Sequence, residues 1–378
     1  MYVKRMMAEE IQKRLMLNRA VLVFGARRVG KTMLIKEILA EFEGKTMSLN
    51  GEDADVEALL ADCSAANYRK LFNGVELLAI DEAQNINDIG KKLKLIVDEI
   101  PGIRVIASGS SSFDLRNKTG EPLVGRATQF LLTPFAQGEI SQMENILDTR
   151  RNLEMRLLYG SYPDVILAEN DSMRVEYLKD LADAYLLKDI LSLDGLKNTG
   201  KMRDLLRLVA YQIGSEVSYD ELGKQVGMSR NTVEKYLDLL SKVYVIYRIG
   251  GFSRNLRKEV AKAGKLYFYD LGVRNAVINN FSPLAIRQDT GALWENYLIT
   301  ERIKRNHNMR LLHDFHFWKT YDRQEIDLIE CAPDMSIEAF EIKWGDKHPK
   351  CPVAFASAYP DSTFTVLNRD NYLDYITG

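Results

Sequence analysis

Gly25, Gly30, Lys31 and Thr32 stand in the stretch GARRVGKT at the spacing G-x-x-x-x-G-K-[ST]. Glycines at these two places let the backbone curl so that successive N–H groups converge, and the lysine and threonine that follow bring a cation and a hydroxyl to the same spot. The chemical group that suits such a spot is a polyphosphate, and ATP is the expected ligand. Lys31 is expected to reach the β- and γ-phosphates and Thr32 to ligate Mg2+. The nucleotide-contacting set is Gly25, Arg28, Val29, Gly30, Lys31, Thr32 and Met33, with Arg27 and Arg28 at the rim.

A second piece lies some fifty residues on, in VELLAIDEAQ, where an apolar run ends in two carboxylates. Asp81 offers a hard oxygen to the metal shell and Glu82 a base to the attacking water. A third apolar run, RVIASGS, ends in hydroxyls. Ser108 or Ser110 would sense the γ-phosphate there, the alternative being a serine-rich turn with no special duty. Arg126, in LVGRATQF, is a candidate to balance phosphate charge in its own subunit or in a neighbour's. Lys31, Glu82, Ser108 and Arg126 form the expected catalytic set.

These residues need elements to hold them. AVLVF before the loop reads as a strand, and TMLIKEILAEF after it places apolar residues at helical intervals. The acid-bearing and serine-bearing runs read as further strands of a parallel sheet whose carboxyl edge faces the ligand. The class is therefore α/β. At 378 residues the chain is long enough for several domains. With 46% hydrophobic and 28% charged residues and a net charge of -2, it has the balance of a water-soluble protein. No apolar run is long enough to cross a bilayer, and MYVKRMMAEEIQKRL lacks the apolar core of a signal peptide. Cys63, Cys331 and Cys351 form no C-x-x-C pair, which fits a reducing compartment. A cytoplasmic chain without a membrane partner is expected. His313 and His316 are given no role.

The GARRVGKT loop, IDEAQ, SGSSS, LVGR and the later YGSYPDV together resemble the bacterial and archaeal AAA-type ATPases whose C-terminal half is labelled DUF4143. The resemblance runs along nearly the whole chain. It implies a core in which the catalytic glutamate follows the magnesium aspartate, with an extra strand between the loop-bearing and acid-bearing strands. It also raises the prospect of oligomerisation.

Four regions are expected: an ATPase domain over 1–150, a helical lid or connector over 151–195, a winged helix over 196–275 and a nuclease-like domain over 285–378. In the third, SYDELGKQVGMSRNTVEKYLDLLSK gives helix, turn and helix, and VYVIYRI and KLYFYD flank a basic stretch. From Lys197 to Asp270 there are 14 Lys and Arg against 8 Asp and Glu, a local excess suited to a polyanion. Arg230, Arg254, Arg257 and Lys258 are the candidate DNA contacts. Glu234 and Asp238 on the second helix oppose that reading, and a protein partner is the alternative.

In the fourth region GALWENYL opens a helix and three strand-like runs follow. Glu295, Asp327 and the pair Glu341/Lys343 resemble the PD-(D/E)xK nuclease pattern, in which acids bind magnesium and the lysine helps activate water or stabilise the developing phosphate charge. A retained fold with an inactive site is the competing reading. Three functions stay open: a regulatory ATPase, an ATP-gated DNA nuclease, and a nucleotide-dependent DNA or protein binding module with little turnover.

Overall fold

The computed structural model describes residues 3–109, 123–185, 199–253, 264–322 and 324–378. The chain divides into two units, one running to Thr133 and taking in residues 242–244, the other holding Pro134–Ser241 and Val245–Gly378. Ser110, Arg254, Arg257 and Lys258 lie outside the described residues.

The first unit is built on a five-stranded parallel sheet of β1 (Arg19–Phe24), β2 (Thr46–Asn50), β3 (Leu77–Asp81), β4 (Arg104–Gly109) and β5 (Ala127–Leu131), in the order β2-β3-β4-β1-β5. β4 stands between loop-bearing β1 and acid-bearing β3, as the resemblance implies. The central strands are near-continuous apolar runs, because a parallel sheet is covered on both faces. Leu22, Leu78, Ile80 and Val105 are buried with Leu93 and Ile96 of the helix Ile89–Glu99 in one core. Every strand ends toward the same edge, with Phe24 level with Gly109 and Ile80 level with Ala107. The loop, the acids and the serine therefore meet there.

The second unit carries a mixed seven-stranded sheet of β6 (Glu216–Val217), β7 (Ile246–Gly251), β8 (Gly264–Phe268), β9 (Asp314–Lys319), β10 (Glu325–Cys331), β11 (Ile337–Ile342) and β12 (Thr363–Leu367). Its order is β12-β11-β10-β9-β7-β8-β6. β7 and β8 are the strands expected beside a wing, and β9 to β11 are those expected in a nuclease-like domain. One ladder joins them, through parallel pairing of β7 with β9 at Gly250–His316 and Gly251–Phe317. The helix Thr290–Asn308 is tied to β8 by Asn296, whose side chain accepts from the Phe268 N–H and donates to the Phe268 carbonyl. Trp294 Nε1 donates to the Lys343 carbonyl at 3.2 Å.

The YGSYP segment has a defined seat in this unit. Asp270 caps the helix Leu271–Val277, accepting from Val273 N at 3.1 Å, and its other oxygen accepts from Ser161 N at 2.7 Å. Asn275 Nδ2 donates to the carbonyls of Leu157 and Leu158. Burial pushes the Asp270 carboxyl up to about 6, against the pull of Lys304 and three backbone N–H groups.

Candidate functional site

Between β1 and the helix Lys31–Glu41 the chain turns through Gly30 at φ 98°, a conformation costly for a residue with a Cβ, and the space beside it is open. The first N–H groups of that helix have no partner within it, so the turn presents donors and partial positive charge at the sheet edge. Lys31 is 4% exposed, and its Nζ donates to the carbonyls of Gly25 and Ala26 at 3.0 and 2.9 Å. Its ammonium is thus stored against the loop it is expected to serve. Val29 is fully buried, whereas Arg28 and Met33 are exposed.

Thr32 Oγ1 and Asp81 Oδ2 are 2.6 Å apart. A hydroxyl and a carboxylate from distant parts of the sequence meet beside the turn, a hard-oxygen pair that fits Mg2+. Ser108, level with Asp81 across β4, donates to Asp81 Oδ1, and its Oγ accepts from Glu82 N at 3.1 Å. The serine braces both acids. Glu82 follows the strand end in a left-handed conformation, φ 48°, with its side chain part-buried beside Gln84.

Arg126 is placed elsewhere. It precedes β5, its carbonyl accepts from Ala20 N at the start of β1, and its guanidinium pairs with Asp98 at 2.7 Å. That is the amino edge of the sheet, a strand length or roughly 15 Å from the loop. Arg5 was missed by sequence reasoning and is buried at the loop, with Nη1 3.2 Å from the Val29 carbonyl and Nη2 2.6 Å from that of Thr133. A lone arginine in a charged N-terminal segment gave no signal for this.

In the second unit Glu295, Asp327, Glu341 and Lys343 come together. Lys343 Nζ is 2.6 Å from Glu341 Oε1 and 3.4 Å from Asp327 Oδ2, and that same Asp327 oxygen accepts from Ile342 N at 2.8 Å. Burial pushes the Glu341 carboxyl up, with the Asp327 charge adding and Lys343 opposing. Burial pushes Glu295 up to about 7, opposed by Lys265 and reinforced by Asp327. Two further residues complete the cluster. Lys265 Nζ lies 2.7 Å from Glu325 Oε1 and 3.5 Å from Glu295 Oε1, and Tyr267 OH donates to Glu295 at 2.7 Å. Lys265 counted toward the basic excess of the third region, but it is 3% exposed and engaged with acids. Among the described residues no three His, Cys, Asp or Glu side chains stand close enough to share an ion. The acids are held by lysines.

The helix Tyr219–Val226, a turn with Gly227 at φ 63°, and the helix Arg230–Lys242 follow the expected helix-turn-helix order. Arg230 pairs with Asp220 at 3.3 Å, both exposed. His313 has a role after all, since Nδ1 is 2.6 Å from the buried carboxylate of Glu330, which Arg302 and Asn306 also hold. No helix among the described residues is long and apolar enough to cross a membrane.

Residues 17–141 match the profile of an AAA domain, 150–284 that of a domain of unknown function, DUF8612, and 290–374 that of DUF4143. An uncharacterized protein of Mycobacterium tuberculosis is 25% identical over 313 residues, 82% of this chain and 66% of that protein. One from Methanocaldococcus jannaschii is 23% identical over 322 residues, 78% of this chain and 69% of that protein. The chain thus spans about two thirds of the length of these relatives. Among solved structures, a RuvB variant from Thermotoga maritima matches at TM-score 0.33 and 18% identity, covering 64% of this chain and 86% of that one. A STAND ATPase from Pyrococcus horikoshii matches at TM-score 0.32 and 13% identity, covering 80% of this chain and 47% of that one. The AAA match agrees with the loop and strand geometry and supports ATP binding and hydrolysis in general. The chain thus carries a region that matches an AAA domain and, after it, one that matches a DUF4143 domain.

Proposed function

We propose that the first unit binds ATP with Mg2+, hydrolyses it, and thereby regulates the second unit. The observation that carries this reading is the 2.6 Å approach of Thr32 Oγ1 to Asp81 Oδ2 beside the Gly30 turn. Mg2+, with Thr32 and Asp81 as its protein partners, supplies neutralisation of phosphate charge when bound. The chain's own residues do the rest. Lys31 exchanges the Gly25 and Ala26 carbonyls for phosphate oxygens, Glu82 accepts the proton of the attacking water, and Ser108 keeps Asp81 and Glu82 in register. Arg126 is left to serve a neighbouring subunit. The test is calorimetry with Mg2+ and ATP together with phosphate release, with and without duplex DNA. Heat and release support the reading, heat without release leaves a nucleotide-dependent binding module, and no heat overturns it.

An ATP-gated DNA nuclease is the second reading. It is favoured by the convergence of Glu295, Asp327, Glu341 and Lys343, and weakened by the lysines that already neutralise them. The helix-turn-helix followed by the β7–β8 hairpin supports a winged helix, for which DNA through Arg230, Arg254, Arg257 and Lys258, or a protein, is the partner. Free cysteines suit a cytoplasmic setting.

A further inference from the structure

Glu82 is fixed on every side but one. A left-handed φ of 48° is unfavourable for a residue with a side chain, so its neighbours must impose it. Its N–H donates to Ser108 Oγ at 3.1 Å and Asp81 Oδ1 at 3.2 Å, and its carbonyl accepts from Asn85 N at 3.1 Å. Gly51 leaves room for that carbonyl, because a Cβ there would collide with it. These contacts set the backbone but leave the three side-chain torsions open.

The carboxylate is held by Gln84, whose Nε2 donates to Glu82 Oε2 at 2.5 Å. Gln84 is 5% exposed on the short turn Ala83–Asn85, between the fully buried Ala83 and Ile86. A buried amide in such a seat cannot swing away as a surface glutamine would. Its hydrogen bond is to an ionised group, which makes it stronger than a neutral pair.

We infer that Gln84 is a positioning residue for hydrolysis: by holding Oε2 it aims Oε1 of Glu82 at the attacking water. This rests on the ATPase reading above. A base displaced by about an ångström can lose roughly a hundredfold in rate, and the substrate contacts at Lys31 and Thr32 do not involve Gln84. The cost of losing Gln84 therefore falls on kcat and not on affinity.

The test compares wild type, Gln84→Leu and Gln84→Asn for ATP turnover and for Mg-ATP affinity by calorimetry. Gln84→Leu keeps the volume and is expected to lower kcat roughly ten- to a hundredfold, with Kd within about twofold of wild type. Gln84→Asn keeps the amide but is one methylene too short to reach Oε2, and is expected to lose kcat in the same way with Kd preserved. Should the leucine variant fail to fold, the asparagine variant decides alone. Wild-type or faster turnover in either variant, or a Kd that weakens in step with kcat, would overturn the inference. Failure of the ATPase reading shows separately, as wild type that binds ATP without releasing phosphate, and it removes the inference with it.

Discussion

Lys265 Nζ on β8 lies 2.7 Å from Glu325 Oε1 on β10, while the same ammonium is 3.5 Å from Glu295 Oε1. One lysine neutralises two acids, and removing it would leave the enclosed Glu295 without its cation, while Glu325, one-third exposed, keeps Lys319 at 3.7 Å. Lys265→Met is expected to destabilise the second unit by about 3–5 kcal/mol, the cost of breaking a buried ion pair from one side. Urea unfolding measures it, and adding Glu325→Gln and Glu295→Gln should recover part of the loss. A loss below about 1 kcal/mol would mean the pair behaves as a surface bridge.

The Thr32–Asp81 approach makes a prediction about binding. Lys31→Ala is expected to abolish Mg-ATP binding, and Glu82→Gln to keep binding while stopping hydrolysis. Calorimetry and phosphate release separate the two, and normal turnover in Glu82→Gln would remove Glu82 from the mechanism.

Arg5 joins the loop carbonyl of Val29 to that of Thr133. Arg5→Ala leaves both carbonyls short of a charged donor, and hydrogen bonds to charged groups contribute about 1.5–3 kcal/mol. The expected result is a weaker Mg-ATP complex with a lower melting temperature for the nucleotide-bound protein. Arg5→Lys, which cannot span two carbonyls in a fixed fork, should recover only part. Unchanged affinity in Arg5→Ala would make the brace dispensable.

Asp270 gives a pH dependence with a definite sign. Its carboxyl is raised from 3.8 to about 6 by burial, so the folded state binds the proton more tightly than the unfolded chain. Stability from this group is present in full below about 3.8 and is lost as pH rises through about 6, by at most roughly 3 kcal/mol. Glu295, raised to about 7, adds the same sign. The second unit should unfold at lower urea at pH 7.5 than at pH 5, with a shallower slope in Asp270→Asn. An Asp270→Asn protein with the wild-type slope would assign the dependence to other groups.

Glu341→Ala is expected to leave ATP turnover intact. If the protein nicks DNA with Mg2+, that activity should vanish in the variant, and nicking that survives belongs to something else.

The loop, IDEAQ and the serine-bearing strand were legible because each is a local pattern, a strand followed by a turn of defined composition, and a parallel sheet gathers such ends at one edge. Glu341 and Lys343 were legible from strand alternation. The position of Arg126 at the amino edge was not legible because a motif fixes neighbours in sequence and not the edge of the sheet they occupy. Lys265 read as a surface cation because nothing local marks a lysine whose partners lie 30 and 60 positions later, at Glu295 and Glu325. Arg5 and Asp270 escaped for the same reason, since their partners are carbonyl and N–H groups, which every residue carries.

The pairing of β7 with β9 bears on how this protein could be divided in the laboratory. A fragment ending between 275 and 290 would expose a raw strand margin on each piece, an invitation to aggregate. A load applied to the helix-turn-helix is likewise passed, among the described residues, along the ladder from β7 through β9 to β10 and so toward the acid cluster.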